Sequence, residues 1–148
     1  MVVIYLGADH RGFNLKEEIK RYLQDQGFTV VDLGNHSYQP DDDFVDFSQR
    51  VAKNVLSNKD SVGIVFCGSG VGVDIACNRF SGIRSVLGFN KDQIEKAVAD
   101  DHCNVLSLAA DFVDKNTAID FIKTFLSAEK KQDDKYLRRI RKLDRLLR

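Results

Sequence analysis

Long apolar runs are missing from this chain. No window of its 148 residues approaches the ~20 apolar residues that a membrane-spanning helix needs. The opening MVVIYLGADH also lacks the charged start and apolar core of a secretory leader, so a cytoplasmic location is expected. Cysteine is scarce as well. Cys67, Cys77 and Cys103 are too few and too unevenly spaced for a disulfide framework, and with no Cys-x-x-Cys pair they give no zinc signature. There is no net charge either, because 22 Lys/Arg balance 22 Asp/Glu. Internal repeats and low-complexity segments are absent too.

What is present is enough apolar matter, 43% of residues, for the core of a single domain over 1–148. The charge is unevenly placed: Glu129 to Arg148 holds nine Lys/Arg against four Asp/Glu. Within that stretch Tyr136, Leu137, Ile140, Leu143, Leu146 and Leu147 recur at helical spacing. The spacing predicts that 129–148 is a basic amphipathic C-terminal helix docked on protein, and neither nucleic acid nor membrane is an expected partner.

Ahead of the tail, strand and helix patterns alternate. Short apolar strands are expected at 2–7, 28–34, 62–68, 84–89 and 104–109, each followed by a helix whose apolar residues fall on one face, such as Leu15, Ile19, Tyr22 and Leu23, or Phe44, Phe47, Val51 and Val55. Five buried strands with intervening helices predict an α/β fold, a three-layer αβα sandwich around a five-stranded parallel sheet. The common Rossmann-like order 2-1-3-4-5 puts the topological switch point between strands 1 and 3, where ligands bind beyond the carboxyl ends. Two stretches fall there, ADHRG (8–12) and CGSGVG (67–72). A carboxylate, Asp9, an imidazole, His10, and a thiol, Cys67, should therefore share one crevice.

In the second stretch Gly68, Gly70 and Gly72 allow backbone amides to approach a ligand at a helix start, where partial positive charge favours an anion. A thiol perched there is favoured as thiolate. Cys67 could instead be a small buried hydrophobe ending a strand, which is the expected role of Cys77 and Cys103. Known loops do not match. A Walker A loop needs Lys after its last glycine and a phosphotyrosine-phosphatase loop needs Arg six positions after its cysteine, but residue 73 is Val. A dinucleotide fingerprint belongs at the first strand turn. What remains suits proton abstraction beside a carbonyl, with amides stabilising the enediolate. His36 and Tyr38 are expected to be exposed in a loop that could cover the crevice, and Asp43 and Asp46 read first as helix-start residues.

The combination GADHRGFNLK, Asp43, CGSGVG, NRFSGIRS (78–85) and NVLSLA, in that order, resembles the type B ribose-5-phosphate isomerases and the related galactose-6-phosphate isomerases. The resemblance covers nearly the whole chain. It implies metal-free and cofactor-free aldose–ketose isomerisation of a sugar phosphate through a cis-enediolate, with ribose 5-phosphate as the default substrate. It further implies a homodimer or dimer of dimers with shared sites. By the same resemblance Cys67 is the base, Ser69 contacts the sugar, and the amides of Gly68, Gly70, Val71 and Gly72 hold the oxyanion. Asp9, His10 and Asp43 bind substrate; Asn78, Arg84 and Asp101 lie beside the site; Lys135 and Arg139 reach for phosphate. Two positions depart. Asp100 stands where the isomerases carry a ring-opening histidine; as a carboxylate it can still exchange protons and is the catalytic candidate there. His102 could take that histidine's place only if the loop is remodelled, and Asp111 stands where an arginine is common. A phosphohexose or modified sugar, or a non-catalytic sugar-phosphate-binding homologue, therefore remains an alternative.

Overall fold

The computed structural model describes residues 1–146. Five strands alternate with helices: β1 (Val3–Ala8), α1 (Phe13–Asp25), β2 (Thr29–Asp32), α2 (Phe44–Ser57), β3 (Ser61–Cys67), α3 (Val71–Asn78), β4 (Ser85–Leu87), α4 (Lys91–Asp101), β5 (Val105–Ala109), α5 (Lys115–Ser127) and α6 (Asp134–Asp144). All pairings are parallel. The expected αβα sandwich is thus observed, and the alternation of short apolar runs with 3.6-residue periodicity is its cause.

The strand order is 2-1-3-5-4, which corrects the expected 2-1-3-4-5 in its last two positions. Burial explains the exchange. Every residue of β5 is buried, whereas β4 has three residues of which only Val86 is, so the longer apolar run takes the interior and the short one the edge. The chain passes over one position from β3 to β4 and returns to β5. A right-handed return places α4 on the face of α1 and α5, and Ile94 and Val98 of α4 pack in one core with Ile19, Leu23, Phe121 and Ile122. The opposite face holds α2 and α3, through Val51, Ala52, Val55, Val73 and Cys77.

Beneath α1, Lys16 is fully buried, and its Nζ donates to both carboxylate oxygens of Asp32 at 2.8 Å. A buried ammonium is tolerated only when paired in this way. The C-terminal helix is shorter than expected. It starts at Asp134, after an extended 128–133 segment, and Ile140 is its buried residue. Leu147 and Arg148 of the expected helix lie outside the described residues. Among those described, no helix is long and apolar enough to cross a membrane.

Candidate functional site

Because β1 and β3 are adjacent, the loops after them meet at the carboxyl edge of the sheet. The segment after β1 crosses close to β3: a Cβ on Gly12 would lie 2.5 Å from the Phe66 carbonyl oxygen, so only glycine fits. The loop after β5 is stitched to the same strand end, with the amides of Ala110 and Asp111 donating to the carbonyls of Cys67 and Gly68 at 2.9 Å. These three loops enclose a cleft of about 410 Å³ lined by Asp9, Arg11, Phe44, Cys67, Gly68, Ser69, Gly72, Asp111 and Phe112.

Cys67 ends β3 with its Sγ accepting the Gly70 amide at 3.1 Å. Gly70 has φ +73° as it opens α3, and a Cβ there would meet Leu87 and the Ala109 amide. The turn that aims an N–H at sulfur therefore depends on this glycine. Ser69 Oγ accepts the Val71 amide at 3.2 Å. The remaining first-turn amides of α3 have no acceptor within the helix, which is the ordinary condition of a helix start. Burial pushes the Cys77 and Cys103 thiols up to about 12. They are core residues, as expected.

Asp9 is buried, and its Oδ1 accepts the amides of Arg11 and Gly12 at 3.0 Å. Burial raises its carboxyl above the usual range despite those donors. His10 sits one residue further on, clamped by Asp42: Asp42 Oδ1 accepts the His10 amide at 2.9 Å and Nδ1–H at 2.8 Å, and Asn35 Nδ2 donates to Oδ2 at 3.2 Å. Partial burial pushes the Asp42 carboxyl up, but the His10 and Asn35 donors outweigh it and hold it below the usual range. A carboxylate kept ionised can only accept, so Nδ1 carries the proton and Nε2 is left for a ligand. Asp9, His10 and Asp42 have ligand atoms within 4.8 Å of one another, a spacing a metal could use. Asp9 Oδ1 and both Asp42 oxygens are engaged by N–H donors, which ties the cluster into a hydrogen-bond network.

Asp42, Arg11 and Phe112 escaped the sequence reading. In the run Asp41-Asp42-Asp43 nothing singles out the middle residue; Asp43 is instead the exposed N-cap of α2, with no side-chain cap bond. His36 and Tyr38 are exposed, as expected. Tyr38 stands edge-on to His10 with ring centroids 6.5 Å apart.

The remaining candidates gather at the other edge. Cys67 pairs in register with Ala109 at the end of β5, whereas Asp100, Asp101 and His102 precede its start, about 17 Å of strand away. Asp100 Oδ1 accepts Lys131 Nζ at 2.6 Å, and this bond holds the carboxyl below the usual range. Lys131, Lys135 and Arg139 surround the Tyr136 ring at 4.8, 5.1 and 5.6 Å. His102 Nε2 is bonded to the Lys131 carbonyl at 2.8 Å. Arg84 anchors α6, donating to Asp144 at 2.9 Å and to the Asp101 and His102 carbonyls. Asn78 bridges to the Ser85 backbone through both ends of its amide. Within one chain, then, the structure joins Asp9, Cys67 and Ser69 with His10 alongside, and leaves Asn78, Arg84, Asp100, Asp101, Lys135 and Arg139 apart from them.

Comparison with known proteins identifies this arrangement. Residues 4–143 match the family model described as Ribose/Galactose Isomerase. The probable ribose-5-phosphate isomerase B of Mycoplasma genitalium is 36% identical over 143 residues, covering 96% of this chain and 93% of that protein. The crystal structure of a ribose 5-phosphate isomerase from Thermotoga maritima superimposes with TM-score 0.93 at 36% identity, over 98% of this chain and 99% of that one. That of the Mycoplasma genitalium enzyme with bound ribulose-5-phosphate gives 0.91 at 36% identity, over 97% and 95%. With the thiol, the glycine turn and the Asp-His pair in place over a match that spans nearly every element, the chain belongs to the ribose/galactose isomerase family.

Proposed function

We propose that this chain is an aldose–ketose isomerase that interconverts ribose 5-phosphate and ribulose 5-phosphate, acting in the cytoplasm as one domain. The observation that carries the reading is Cys67 Sγ receiving the Gly70 N–H in the cleft that also holds Asp9 and Ser69. That N–H holds the sulfur at the wall of the cleft, where it can reach a bound sugar. The thiolate removes the proton from C2 of the open-chain aldose, and the C–H electron pair forms the C1=C2 bond as the carbonyl π pair moves onto O1. Amides of the Gly68–Gly72 turn hold that oxyanion. Transfer of the O2 proton to O1 and return of a proton from sulfur to C1 give the ketose, with no net oxidation. Ser69 and His10 Nε2 hold sugar oxygens. Kinship with isomerases, including one solved with ribulose-5-phosphate, supports the substrate class.

Two halves of the machinery lie at opposite sheet edges. In the proposed assembly, a homodimer or dimer of dimers, the Asp100–Lys135–Arg139 cluster of a second copy completes the Cys67 cleft. Next to that cleft, α2 and α3 expose Phe44, Val45, Val71 and Ile75, an apolar face of the kind that subunit contacts cover.

The test is solvent-deuterium exchange at the carbon next to the carbonyl across a panel of aldose phosphates. Ribose 5-phosphate should exchange fastest. Cys67→Ala should cut turnover by about 100-fold or more while calorimetry still shows ligand binding. Binding without exchange in the wild-type protein would identify a silent sugar-phosphate binder instead.

A further inference from the structure

We propose that Arg11 is the residue through which the Cys67 cleft recognises the anionic group of its substrate, and that Asp111 tunes this recognition by competing for the same guanidinium. The inference rests on the sugar-phosphate reading above. Arg11 leaves the loop after β1 and Asp111 the loop after β5, and they form an ion pair across the end of β3, NH2 to Oδ2. Their side chains are 59% and 36% exposed. A pair so open to water adds little to stability, so stability does not account for its position.

The position is specific. A Cβ on Gly68 would lie 2.5 Å from Arg11 Nε and 2.7 Å from Asp111 Oδ2, so the pair rests on the first glycine of the thiol-bearing turn. The root of Arg11 is fixed, because its amide donates to buried Asp9 at 3.0 Å, while its fork remains accessible. Among the described residues lining the cleft, Arg11 is the only permanent cation, set against the two acids Asp9 and Asp111. The basic groups Lys131, Lys135 and Arg139 cluster around Tyr136 at the far edge. Within its own chain, an anion entering the cleft meets two acidic side chains unless it takes Arg11 over from Asp111; Lys135 and Arg139 join it only from a second copy in the proposed assembly, and a guanidinium fork suits bidentate binding of phosphate. Arg11 exchanges one anionic partner for another as substrate enters.

Opposite signs for the two partners separate this role from a structural ion pair. Ribose 5-phosphate binding by calorimetry, turnover and thermal unfolding would be measured for wild type, Arg11→Gln, Asp111→Asn and the double variant. Arg11→Gln should weaken binding about tenfold or more, and Asp111→Asn should tighten it. The double variant should behave like Arg11→Gln, with unfolding temperatures near wild type throughout. Equal losses in both single variants, accompanied by a common drop in unfolding temperature, would overturn the assignment, as would unchanged affinity in Arg11→Gln. If wild type binds ribose 5-phosphate with the expected pattern of affinities but never isomerises it, the isomerase reading fails and the Arg11 assignment stands. If no phosphosugar binds wild type, both fall.

Discussion

Asp42 is the residue on which His10 depends. One carboxylate oxygen takes both the backbone and the ring N–H of the same histidine, which fixes the ring's plane and the nitrogen it presents. In the proposed mechanism Asp42 is thus a positioning residue, acting through His10. Asp42→Ala should raise KM for ribose 5-phosphate several-fold with kcat changed much less, and Asp42→Asn, whose amide oxygen can still accept both bonds, should recover most of the loss. Equal defects in the two variants, matched by equal falls in thermal stability, would show a scaffold role only. The three cysteines make a related point. All three thiols are buried; burial suppresses ionisation at 77 and 103, and at 67 the sulfur lines the cleft and accepts a backbone amide. The cleft and the amide contact distinguish Cys67, the proposed base, from the two core thiols.

Among the elements, α3 carries the largest conflict. In the proposed mechanism its start offers amides to the cleft, yet its first turn holds Asp74, whose Oδ1 is buried without a partner. Burial raises the Asp74 carboxyl, only partly countered by the Ser85 and Ser107 hydroxyls. A raised acid binds its proton more tightly folded than unfolded. The resulting cost is absent below the unfolded value of 3.8, grows as pH climbs through the raised folded value, and persists above it. Asp74→Asn should therefore match wild type in thermal unfolding near pH 3 and exceed it at pH 7 by roughly 1 kcal/mol, a figure limited by partial exposure. An advantage that shrinks with rising pH would contradict the assignment. The tail helix α6 is held differently, by Arg84 gripping Asp144 and the end of α4, so its basic face stays outward.

At the scale of the whole molecule, the sheet itself separates the Cys67 cleft from the Asp100 cluster. Helices after a parallel strand run back to its start, so Asp100 at the end of α4 must lie at the edge opposite Cys67. The proposed two-fold assembly would join them, and subunit mixing tests it. Cys67→Ala and Asp100→Asn proteins should each be nearly inactive, and an equimolar mixture, after exchange of subunits, should recover about a quarter of wild-type turnover, because half the dimers then hold one intact site of two. A mixture no more active than its parts would confine each site to one chain.

Strand-helix alternation was legible in the sequence because apolar periodicity is a local property: the apolar faces expected over 15–23 and 44–55 fall within the observed α1 and α2. The meeting of Asp9 and Cys67 followed from topology, since β1 and β3 are neighbours in either strand order. The exchange of β4 and β5 was not legible, because it depends on which strand is buried from both sides. Nor were Arg11, Asp42 and the separation of Asp100 from the thiol. A side chain's partner a hundred residues away, such as Asp111 for Arg11, leaves no trace in local spacing. The sequence alone determined the elements and the chemistry available at their ends; only tertiary packing decided which of those ends face one another, because contact energies act between surfaces that the chain brings together after its local pattern is spent.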